Sequence, residues 1–493
     1  MQVFDGAEML AMDRWTIEVQ GVPGIELMER AAEGVVEAVL RQDCARVIFV
    51  CGMGNNGGDG FAAARLLCRQ GHAVEVFTVG NPGGLKGDAR INYERLEGLA
   101  VTVKPFSPAY EAGPQDLVVD ALFGTGLARP VEGVYAEAVE WINRQPARVI
   151  AVDIPSGVHA GTGQVMGCAV RATETVTISR HKTGLWLYPG RDLAGRVTLA
   201  TIGVDSPNPV ELAGCKMVTD AAFAAEMMVP RLLAGHKGTY GQAGIMAGSP
   251  GMMGAAIFAV RSAYQSGAGL VRCLIPASES TAMTVSVPEA VQKHWNPDMP
   301  QLLEMPPATA YLIGPGLGRC REAFSRALSR IPDDKPLVLD ADGLNMLAES
   351  PELARPGMIL TPHMGEAARL SGRSIAELYR NLPEAALELA RRYQSVVVLK
   401  NASTVVAAPD GRIAVNPTGN PGMSTAGAGD VLAGLIVGWW AQDPGADPFK
   451  VAAAAVWMHG AAGDRAAAVK GQYALMASDI LEYLRPDQLI DCL

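Results

Sequence analysis

Short apolar runs alternate with longer amphipathic segments through the first two hundred residues. The runs are rich in β-branched side chains and end at turn residues, so they predict buried strands. We predict strands at Val47–Cys51, Ala73–Val79, Leu117–Ala121, Val149–Val152, Glu174–Ile178 and Val197–Ile202. Helices are predicted between them at Phe61–Gln70, Asp88–Glu97 and Tyr135–Arg144. Strands that alternate with helices indicate a parallel, doubly wound α/β sheet.

This pattern breaks near residues 203–214, where Ser206-Pro207-Asn208-Pro209 interrupts it. A second strand series follows, and a chain of 493 residues is too long for one ordinary domain. We therefore predict two α/β domains, residues 1–213 and 214–493. The strands predicted in the second are Gly244–Ala247, Leu270–Ile275, Ala310–Ile313, Leu337–Leu339, Met358–Leu360 and Val396–Leu399.

Composition narrows the class of partner. Hydrophobic residues make up 49% of the chain and charged residues 19%, which is enough for buried cores. A net charge of −10 disfavours a nucleic-acid surface, so no nucleic-acid partner is expected. The apolar run Val431–Trp440 is too short to span a bilayer and no signal peptide is apparent, so no membrane partner is expected. The eight cysteines form no Cys-x-x-Cys pair, which suits a reducing, cytoplasmic location.

The sequence Gly-Met-Gly-Asn-Asn-Gly-Gly-Asp-Gly at residues 52–60 follows the first predicted strand. A glycine-rich turn between a strand and a helix directs backbone N–H groups at an anion. Asn55 and Asn56 add amide groups, whereas Asp59 would repel a closely held diphosphate. We therefore expect this turn to recognise a polar ring, a ribose or a cation as well. The alternative is an ordinary turn whose glycines serve only steric needs.

Two further loops follow predicted strands, at residues 120–125 and 153–156. The carboxyl ends of parallel strands meet at one edge of a sheet, so we expect the three loops to form one site.

The second half carries a different motif, Gly427-Ala428-Gly429-Asp430, directly before the apolar segment Val431–Trp440. Glycines at a helix start leave N–H groups free to hold a developing phosphoryl charge, and an adjacent Asp can accept a hydroxyl proton. A helix start with an ordinary acidic cap is the alternative. No Walker A motif occurs.

These motifs resemble those of a known family. The turn at residues 52–60, with Met28–Ala32, Asp120–Gly126 and Val152–Gly157, is similar to the N-terminal module of the bifunctional NAD(P)H-hydrate repair enzymes, a Rossmann-like epimerase. The second half resembles their ribokinase-like dehydratase module. It does so through Gly427–Asp430 and the upstream segments His236–Gly238, Gly248–Gly251, Gly314–Gly318, Asp340–Asn345 and Thr361–Glu366. Related vitamin kinases carry Asn at the position of His363, so His363 favours hydrate dehydration over a kinase.

The resemblance implies a metabolite-repair enzyme for NADHX and NADPHX, in which water has added to C6 of the reduced nicotinamide ring. The epimerase would interconvert the 6R and 6S forms. The dehydratase would transfer a phosphoryl group from ADP or ATP to the C6 hydroxyl of the 6S form, and the ring nitrogen would then expel phosphate. K⁺ and Mg²⁺ are the implied cofactors, and we expect a homo-oligomer.

For the epimerase, K⁺ is carried over onto Asn56, Asp120 and Ser156, whose oxygens suit a hard cation. Asp153 is the candidate acid/base, with a ribose anchor as its alternative role, and Lys182 is a candidate phosphate contact. The resemblance places the substrate against Asn55, Asn56, Gly57, Gly58, Asp59, Gly124, Thr125, Gly126, Leu127, Ala128, Arg129, Pro130 and Asp153.

For the dehydratase, Asp430 is the candidate base, and Glu366 either helps to place Mg²⁺ or is an exposed, solvated carboxylate. The family commonly has Gly after the lysine, so the side chain of Asn401 would narrow the nucleotide pocket. The resemblance places the substrate against Ala255, Gly316, His363 and Asp430, and the nucleotide against Lys400, Asn401, Ala402, Ser403, Thr404 and Gly429.

Two other functions are compatible with parts of the chain. A small-molecule kinase fused to a binding domain explains Gly427–Asp430 but leaves the N-terminal motifs without a role. A non-catalytic binding module in the first half is the second alternative. Asp59, Asp120 and Asp153 argue against it, because a scaffold has no use for three carboxylates at one sheet edge.

Overall fold

The computed structural model describes residues 1–204 and 216–488 and divides the chain into two compact units. The first unit contains Gln2–Lys216, and the second contains Met217–Leu493 together with Met1. The domain boundary predicted at 213/214 lies outside the described residues.

The first unit is built on a seven-stranded sheet in the order β3-β2-β1-β4-β5-β6-β7, and every pair of neighbours is parallel. Its strands are β1 (Arg46–Cys51), β2 (Val74–Thr78), β3 (Thr102–Pro105), β4 (Asp116–Ala121), β5 (Arg148–Val152), β6 (Glu174–Ile178) and β7 (Arg196–Ala200). Its helices are α1 (Gly6–Glu18), α2 (Gly24–Leu40), α3 (Asn55–Arg69), α4 (Gly87–Glu94), α5 (Val134–Arg144) and α6 (Gly190–Ala194).

Both faces of this sheet are buried. Along β1, Val47 and Phe49 join a core that contains apolar residues of α2, α3 and α4, whereas Ile48 and Val50 join a core that contains those of α5. Successive side chains of a strand point to opposite faces, so a strand covered on both sides is apolar throughout. This explains why the continuous apolar runs predicted strands well.

The strand order reverses between β1 and β4, which are neighbours in the sheet. Ligands of open α/β sheets bind outside the carboxyl ends of the strands at such a reversal. The residues that follow β1, β4 and β5 are therefore placed where a binding site is expected.

The helix predicted at Phe61–Gln70 starts too late, because α3 begins at Asn55. The glycine-rich motif is thus largely the first turns of the helix and not a loop before it. Close backbone packing explains the early start. A Cβ atom on Gly57 would lie 1.9 Å from the carbonyl oxygen of Gly52, so only glycine lets this turn approach the end of β1.

The second unit is built on a ten-stranded sheet in the order β11-β10-β9-β12-β13-β14-β15-β16-β17-β8. Neighbours from β11 to β15 are parallel, whereas β16 is antiparallel to both β15 and β17. The strands are β8 (Lys216–Val218), β9 (Gln242–Met246), β10 (Leu270–Pro276), β11 (Val291–Trp295), β12 (Ala310–Ile313), β13 (Leu337–Leu339), β14 (Ile359–Leu360), β15 (Val396–Leu399), β16 (Val405–Ala407) and β17 (Ile413–Val415).

One helix of this unit, α15 (Ala428–Gln442), lies in the core, with 12 of its 15 residues buried. It packs against α8 (Met253–Gln265) and α16 (Pro448–Lys470), which explains why it is apolar on all sides. None of the helices in the described ranges is long and apolar enough to cross a membrane. The remaining helices are α7 (Ala221–Ala225), α9 (Ser280–Ser286), α10 (Arg321–Arg330), α11 (Asp342–Glu349), α12 (Met364–Ser371), α13 (Ile375–Arg380), α14 (Leu382–Tyr393) and α17 (Ala477–Glu482).

Candidate active sites

A cavity of about 880 Å³ in the first unit is lined by residues that follow β1, β4 and β5. Of the residues expected to contact the epimerase substrate, Gly57, Gly58 and Pro130 do not line it. Gly57 and Gly58 instead pack against Gly52 and Met28. The expected residues that do line the cavity are Asn55, Asn56, Asp59, Gly124, Thr125, Gly126, Leu127, Ala128, Arg129 and Asp153.

Asp153 and Lys182 form a buried ion pair on this cavity. Oδ1 of Asp153 accepts from Lys182 Nζ and from the Ile178 amide at 3.3 Å, and Oδ2 accepts from the Thr125 amide at 3.2 Å. The ammonium of Lys182 also donates to the Ile178 carbonyl at 2.6 Å and to Thr177 Oγ1 at 3.1 Å. Lys182 is only 1% exposed and its charge is paired with Asp153, which argues against the expected phosphate contact; that role stays a prediction.

Two further carboxyl groups line the same cavity, Asp59 of α3 and Asp13 of α1. Burial and the nearby Asp153 raise the pKa of Asp13 to about 6, although Lys182 opposes this shift. Burial, followed by Asp153 and Asp13, raises the pKa of Asp59 well above its ordinary value. The sequence analysis missed Asp13, because α1 lacks a strong apolar period and was not predicted as a helix.

Asp120 and Ser156, two of the residues expected to hold K⁺, are hydrogen-bonded to each other. Asp120 at the end of β4 is fully buried; its Oδ1 accepts from Ser156 Oγ at 2.6 Å and its Oδ2 accepts from the Ser156 amide at 2.8 Å. Burial raises the pKa of Asp120 to about 6, and the contacts that lower it come from uncharged donors. The buried amide nitrogen of Asn56 has no hydrogen-bond partner in the described structure. A buried carboxylate without a cation, beside the hydroxyl oxygen of Ser156, fits a hard monovalent ion.

In the second unit, the motif Gly427–Asp430 forms the N-terminus of α15. Gly427 precedes the helix with φ = 93°, a left-handed conformation that favours glycine. Asp430 lies in the first turn, and burial followed by the charge of Asp340 raises its pKa to about 7, against the opposing charge of Lys400. A carboxyl group that is half ionised near neutral pH is suited to accept a proton.

Lys400, at the end of β15, is the cation of this site. Its Nζ donates to Asp340 Oδ1 at 2.8 Å, and the same oxygen accepts from Thr361 Oγ1 at 2.7 Å. A Cβ atom on Gly429 would lie 3.3 Å from Lys400 Nζ. The ammonium of Lys400 therefore lies next to the first turn of α15. The carboxylates of Asp340, Glu366 and Asp430 outweigh burial and raise the pKa of Lys400.

His363 and Glu366 cap α12 reciprocally. The Gly365 amide donates to His363 Nδ1 at 2.9 Å, and the His363 amide donates to Glu366 Oε2 at 2.8 Å. Glu366 is buried, and burial raises its pKa to about 7, so the alternative of an exposed, solvated carboxylate is wrong. Burial, with Lys400 and Arg369, lowers the pKa of His363, which favours the neutral imidazole at pH 7.

The other expected dehydratase residues fall into two groups. Gly316 and Ala255 are neighbours, since a Cβ atom on Gly316 would lie 2.9 Å from Ala255 Cβ. Asn401 and Thr404 belong to the turn 400–404 between β15 and β16, where Asn401 Oδ1 accepts from Tyr379 Oη at 3.0 Å. This bond holds the Asn401 side chain against α13. Ala402 lies on the surface of this turn and Ser403 is buried in it.

Two residues of α16 that the sequence analysis did not single out hold the loop before α15. Asp464 accepts from the Gly419 amide at 2.8 Å and from Asn420 Nδ2 at 2.9 Å. His459 is buried and hydrogen-bonded to the backbone of Ala428, and burial lowers its pKa to about 4. The sequence did not indicate a role for His459 and Asp464, because a polar residue on an alanine-rich helix is usually solvated.

Comparisons with known proteins assign the chain to a family. Residues 243–486 match a family profile described as NAD(P)H-hydrate dehydratase, and residues 24–184 match one described as YjeF-related protein N-terminus. The bifunctional NAD(P)H-hydrate repair enzyme Nnr of Moorella thermoacetica is 39% identical, over 98% of this chain and 96% of its own length. The chain belongs to the bifunctional NAD(P)H-hydrate repair enzymes.

Two further relatives of this repair-enzyme family cover the chain in different ways. The protein of the same name from Escherichia coli is 35% identical over 96% of this chain and 91% of its own length. A solved structure of the ADP/ATP-dependent NAD(P)H-hydrate dehydratase from Bacillus subtilis, co-crystallised with ATP and Mg²⁺, is 30% identical. It covers 56% of this chain and 98% of that protein with a TM-score of 0.50.

Membership of the repair-enzyme family confirms the resemblance inferred from the motifs. It also confirms the predicted fold class, a Rossmann-like unit followed by a ribokinase-like unit. The kinase and the non-catalytic module are correspondingly disfavoured. The roles of individual residues and the binding of K⁺ stay predictions.

Proposed function

We propose that this chain repairs hydrated nicotinamide dinucleotides at two sites. The first unit interconverts the 6R and 6S epimers of NADHX and NADPHX, and the second dehydrates the 6S form to NADH or NADPH with ADP or ATP as phosphoryl donor. The observation that carries the proposal is the position of Asp430. It is a half-buried carboxyl group in the first turn of α15, with a pKa of about 7 and a lysine ammonium nearby.

Dehydration needs a better leaving group than hydroxide. Asp430 accepts the proton of the C6 hydroxyl as the hydroxyl oxygen attacks the terminal phosphorus of the nucleotide. The bond from that phosphorus to its bridging oxygen breaks, so that AMP leaves from ADP or ADP leaves from ATP. The backbone amides of Gly427–Gly429 at the N-terminus of α15 stabilise the charge that develops on the phosphoryl oxygens. The lone pair of the ring nitrogen then forms a double bond to C6, the C6–O bond breaks and phosphate leaves with both electrons. Loss of a C5 proton, to the departing phosphate, restores the C5–C6 double bond of the dihydronicotinamide ring.

The remaining residues divide between the two ligands of the dehydratase. Lys400, Asn401, Ala402, Ser403, Thr404 and Gly429 bind the nucleotide, and Ala255, Gly316, His363 and Asp430 contact the hydrate. Mg²⁺ usually binds to nucleotide phosphates with few protein ligands. Glu366 fits better as a residue that fixes the turn: one of its oxygens caps α12 and the other lies 3.4 Å from His363 Nε2.

Epimerisation requires the C6–O bond to open and to form again on the other face of the ring. The cavity at the ends of β1, β4 and β5 receives the hydrate against Asn55, Asn56, Asp59, the loop 124–129 and Asp153. K⁺ would be held by Asn56, Asp120 and Ser156, where it supplies the positive charge that Asp120 lacks. Asp153 anchors the substrate beside Lys182.

The test uses a mixture of the 6R and 6S forms of NADHX with the purified chain, Mg²⁺ and either ADP or ATP. Absorbance of the reduced nicotinamide is followed to completion. We expect conversion of the whole mixture, because the first unit replenishes the 6S form. A plateau at the initial 6S fraction would show dehydration without epimerisation, and no recovery with either nucleotide would contradict the proposal. The two nucleotides, compared at equal concentration, identify the donor.

A further inference from the structure

Five carboxyl groups line the epimerase cavity, those of Asp13, Glu18, Asp59, Asp88 and Asp153, beside the one buried ammonium of Lys182. Asp13 comes from α1, Asp59 from the second turn of α3 and Asp153 from the end of β5, and all three line the cavity with Lys182. Lys182 forms an ion pair with Asp153, and both side chains are largely buried. In the described structure neither Asp13 nor Asp59 forms an ion pair, although Arg14 and Arg129 also line the cavity.

Hydrogen bonding distinguishes Asp153 from Asp13 and Asp59. Three donors hold Asp153, among them an ammonium. In the described structure, neither Asp13 nor Asp59 accepts a side-chain or backbone hydrogen bond. Asn56 also lines the cavity, and its buried amide nitrogen has no hydrogen-bond partner in the described structure. A ligand with polar atoms is thus expected beside two carboxyl groups that have free oxygens.

From this arrangement we propose that Asp13 and Asp59 are the acid and base of epimerisation, and that they share one mobile proton. This inference rests on the proposed epimerase function and names the groups that perform it. Asp153, the candidate from the sequence, keeps Lys182 in place and anchors the substrate.

The protonated member of the pair gives its proton to the C6 hydroxyl, the ring nitrogen's lone pair forms the N1–C6 double bond, and water leaves with the electrons of the C6–O bond. Water then attacks C6 from the opposite face, its lone pair forms the new C6–O bond, and the N1–C6 π electrons return to nitrogen. The ionised member accepts the proton that the attacking water loses. The roles of the two carboxyls are exchanged in the reverse direction, as an epimerase requires.

Two coupled carboxyl groups hold a single proton over a range of pH, because ionisation of one disfavours ionisation of the other. Burial and Asp153 raise the pKa of Asp13 to about 6, and burial with both other carboxyls raises that of Asp59. The charge of Lys182 lowers the pKa of both Asp13 and Asp59 and so opposes these shifts. The other titratable or charged groups that line the cavity are Arg14, Glu18, Asp88, Arg129 and Tyr135.

The experiment follows separated 6R-NADHX in the full chain without nucleotide, so that the dehydratase is idle, and measures the appearance of the 6S form by chromatography. Asp13→Asn and Asp59→Asn should each lower kcat of epimerisation by about 10²–10⁴. The bell-shaped pH profile of the wild type should lose one limb in each variant. Asp13→Glu should recover part of the rate. Dehydration of the 6S form with ADP or ATP should be unchanged in all of them, and an unchanged circular dichroism spectrum and melting curve should show that the first unit is folded.

Glu37→Gln is the matched control, since it removes an exposed carboxylate of α2 that does not line the cavity. It should leave the epimerisation rate unchanged. Wild-type rates in both Asp→Asn variants, with loss only in Asp153→Asn, would place the proton on Asp153 and overturn the inference. An unaltered pH profile in a slow Asp13→Asn variant would overturn it as well. A wild type that does not interconvert the epimers would instead contradict the proposed function.

Discussion

Asp430 and Glu366 in the second unit, and Asp120 in the first, are carboxyl groups with pKa values raised by burial, to about 7, about 7 and about 6. Burial disfavours the ionised form, because the interior solvates a charge less well than water does. Such groups destabilise the fold at neutral pH, so their presence at strand and helix ends points to chemistry or ligand binding.

At Asp430 the proposed chemistry gives a direct prediction. Asp430→Asn should lower dehydration by about 10²–10⁴, because the amide cannot accept the hydroxyl proton while it preserves the size of the side chain. Epimerisation of the same preparation should keep its wild-type rate. Dehydration by Asp430→Asn at more than a tenth of the wild-type rate would remove Asp430 from the mechanism.

The raised pKa of Asp430 also predicts a pH dependence. Below about pH 7 Asp430 is protonated and cannot act as a base, so kcat/KM for dehydration should rise with pH and level off above about pH 7. The measurement uses NADHX, which has no phosphate monoester, at saturating nucleotide. A rate independent of pH between 5.5 and 8 would contradict this role for a carboxyl base with a pKa of about 7.

Among the structural elements, α15 depends on the backbone of Gly427. Alanine there would adopt φ = 93°, and its Cβ would lie 2.6 Å from the ring of Phe258. Gly427→Ala should therefore cost about 1–3 kcal/mol, and we expect a lower melting temperature with reduced dehydration. Gly254→Ala in α8 is the control, because no atom lies within 4 Å of the added Cβ. Equal melting temperatures for Gly427→Ala and the wild type would show that the turn is not strained.

The end of β4 gives a prediction about the cation. If K⁺ neutralises Asp120, the full chain should melt at a higher temperature in potassium chloride than in sodium chloride at equal concentration. Asp120→Asn should abolish that difference. Asp116→Asn, at the start of the same strand and paired with Arg46, should retain it. Identical melting of the wild type in the two salts would argue against a K⁺ site.

Regular elements were easier to predict than the sites between them. The twelve predicted strands are confirmed, each end within two residues, because strands buried on both faces are continuously apolar. Strands β3, β8, β11, β16 and β17 were missed, since they are short or carry polar residues. Asp430 and the loops after β1, β4 and β5 were found from motifs. The role of Asp13 and the pairing of Asp153 with Lys182 could not be predicted, because they depend on contacts between segments that are distant in the sequence.

For the whole molecule, two separate sheets and cores make each half self-contained. Fragments divided within residues 205–215 should each fold and melt in one transition. The first should interconvert the epimers, and the second should dehydrate only the 6S form. Aggregation of both fragments, or loss of both activities, would show that the halves depend on each other. The cytoplasmic location and the homo-oligomeric state stay predictions of the sequence.

The two units also share one polypeptide, and this has a consequence for the supply of the two proposed activities. Each round of translation yields one epimerase and one dehydratase, so their ratio stays fixed at unity however strongly the gene is expressed. Separate genes would allow a cell to adjust that ratio by transcription. In this chain the ratio of epimerase to dehydratase activity can be changed only through the turnover numbers of the two sites. The slower site then limits the overall rate of repair.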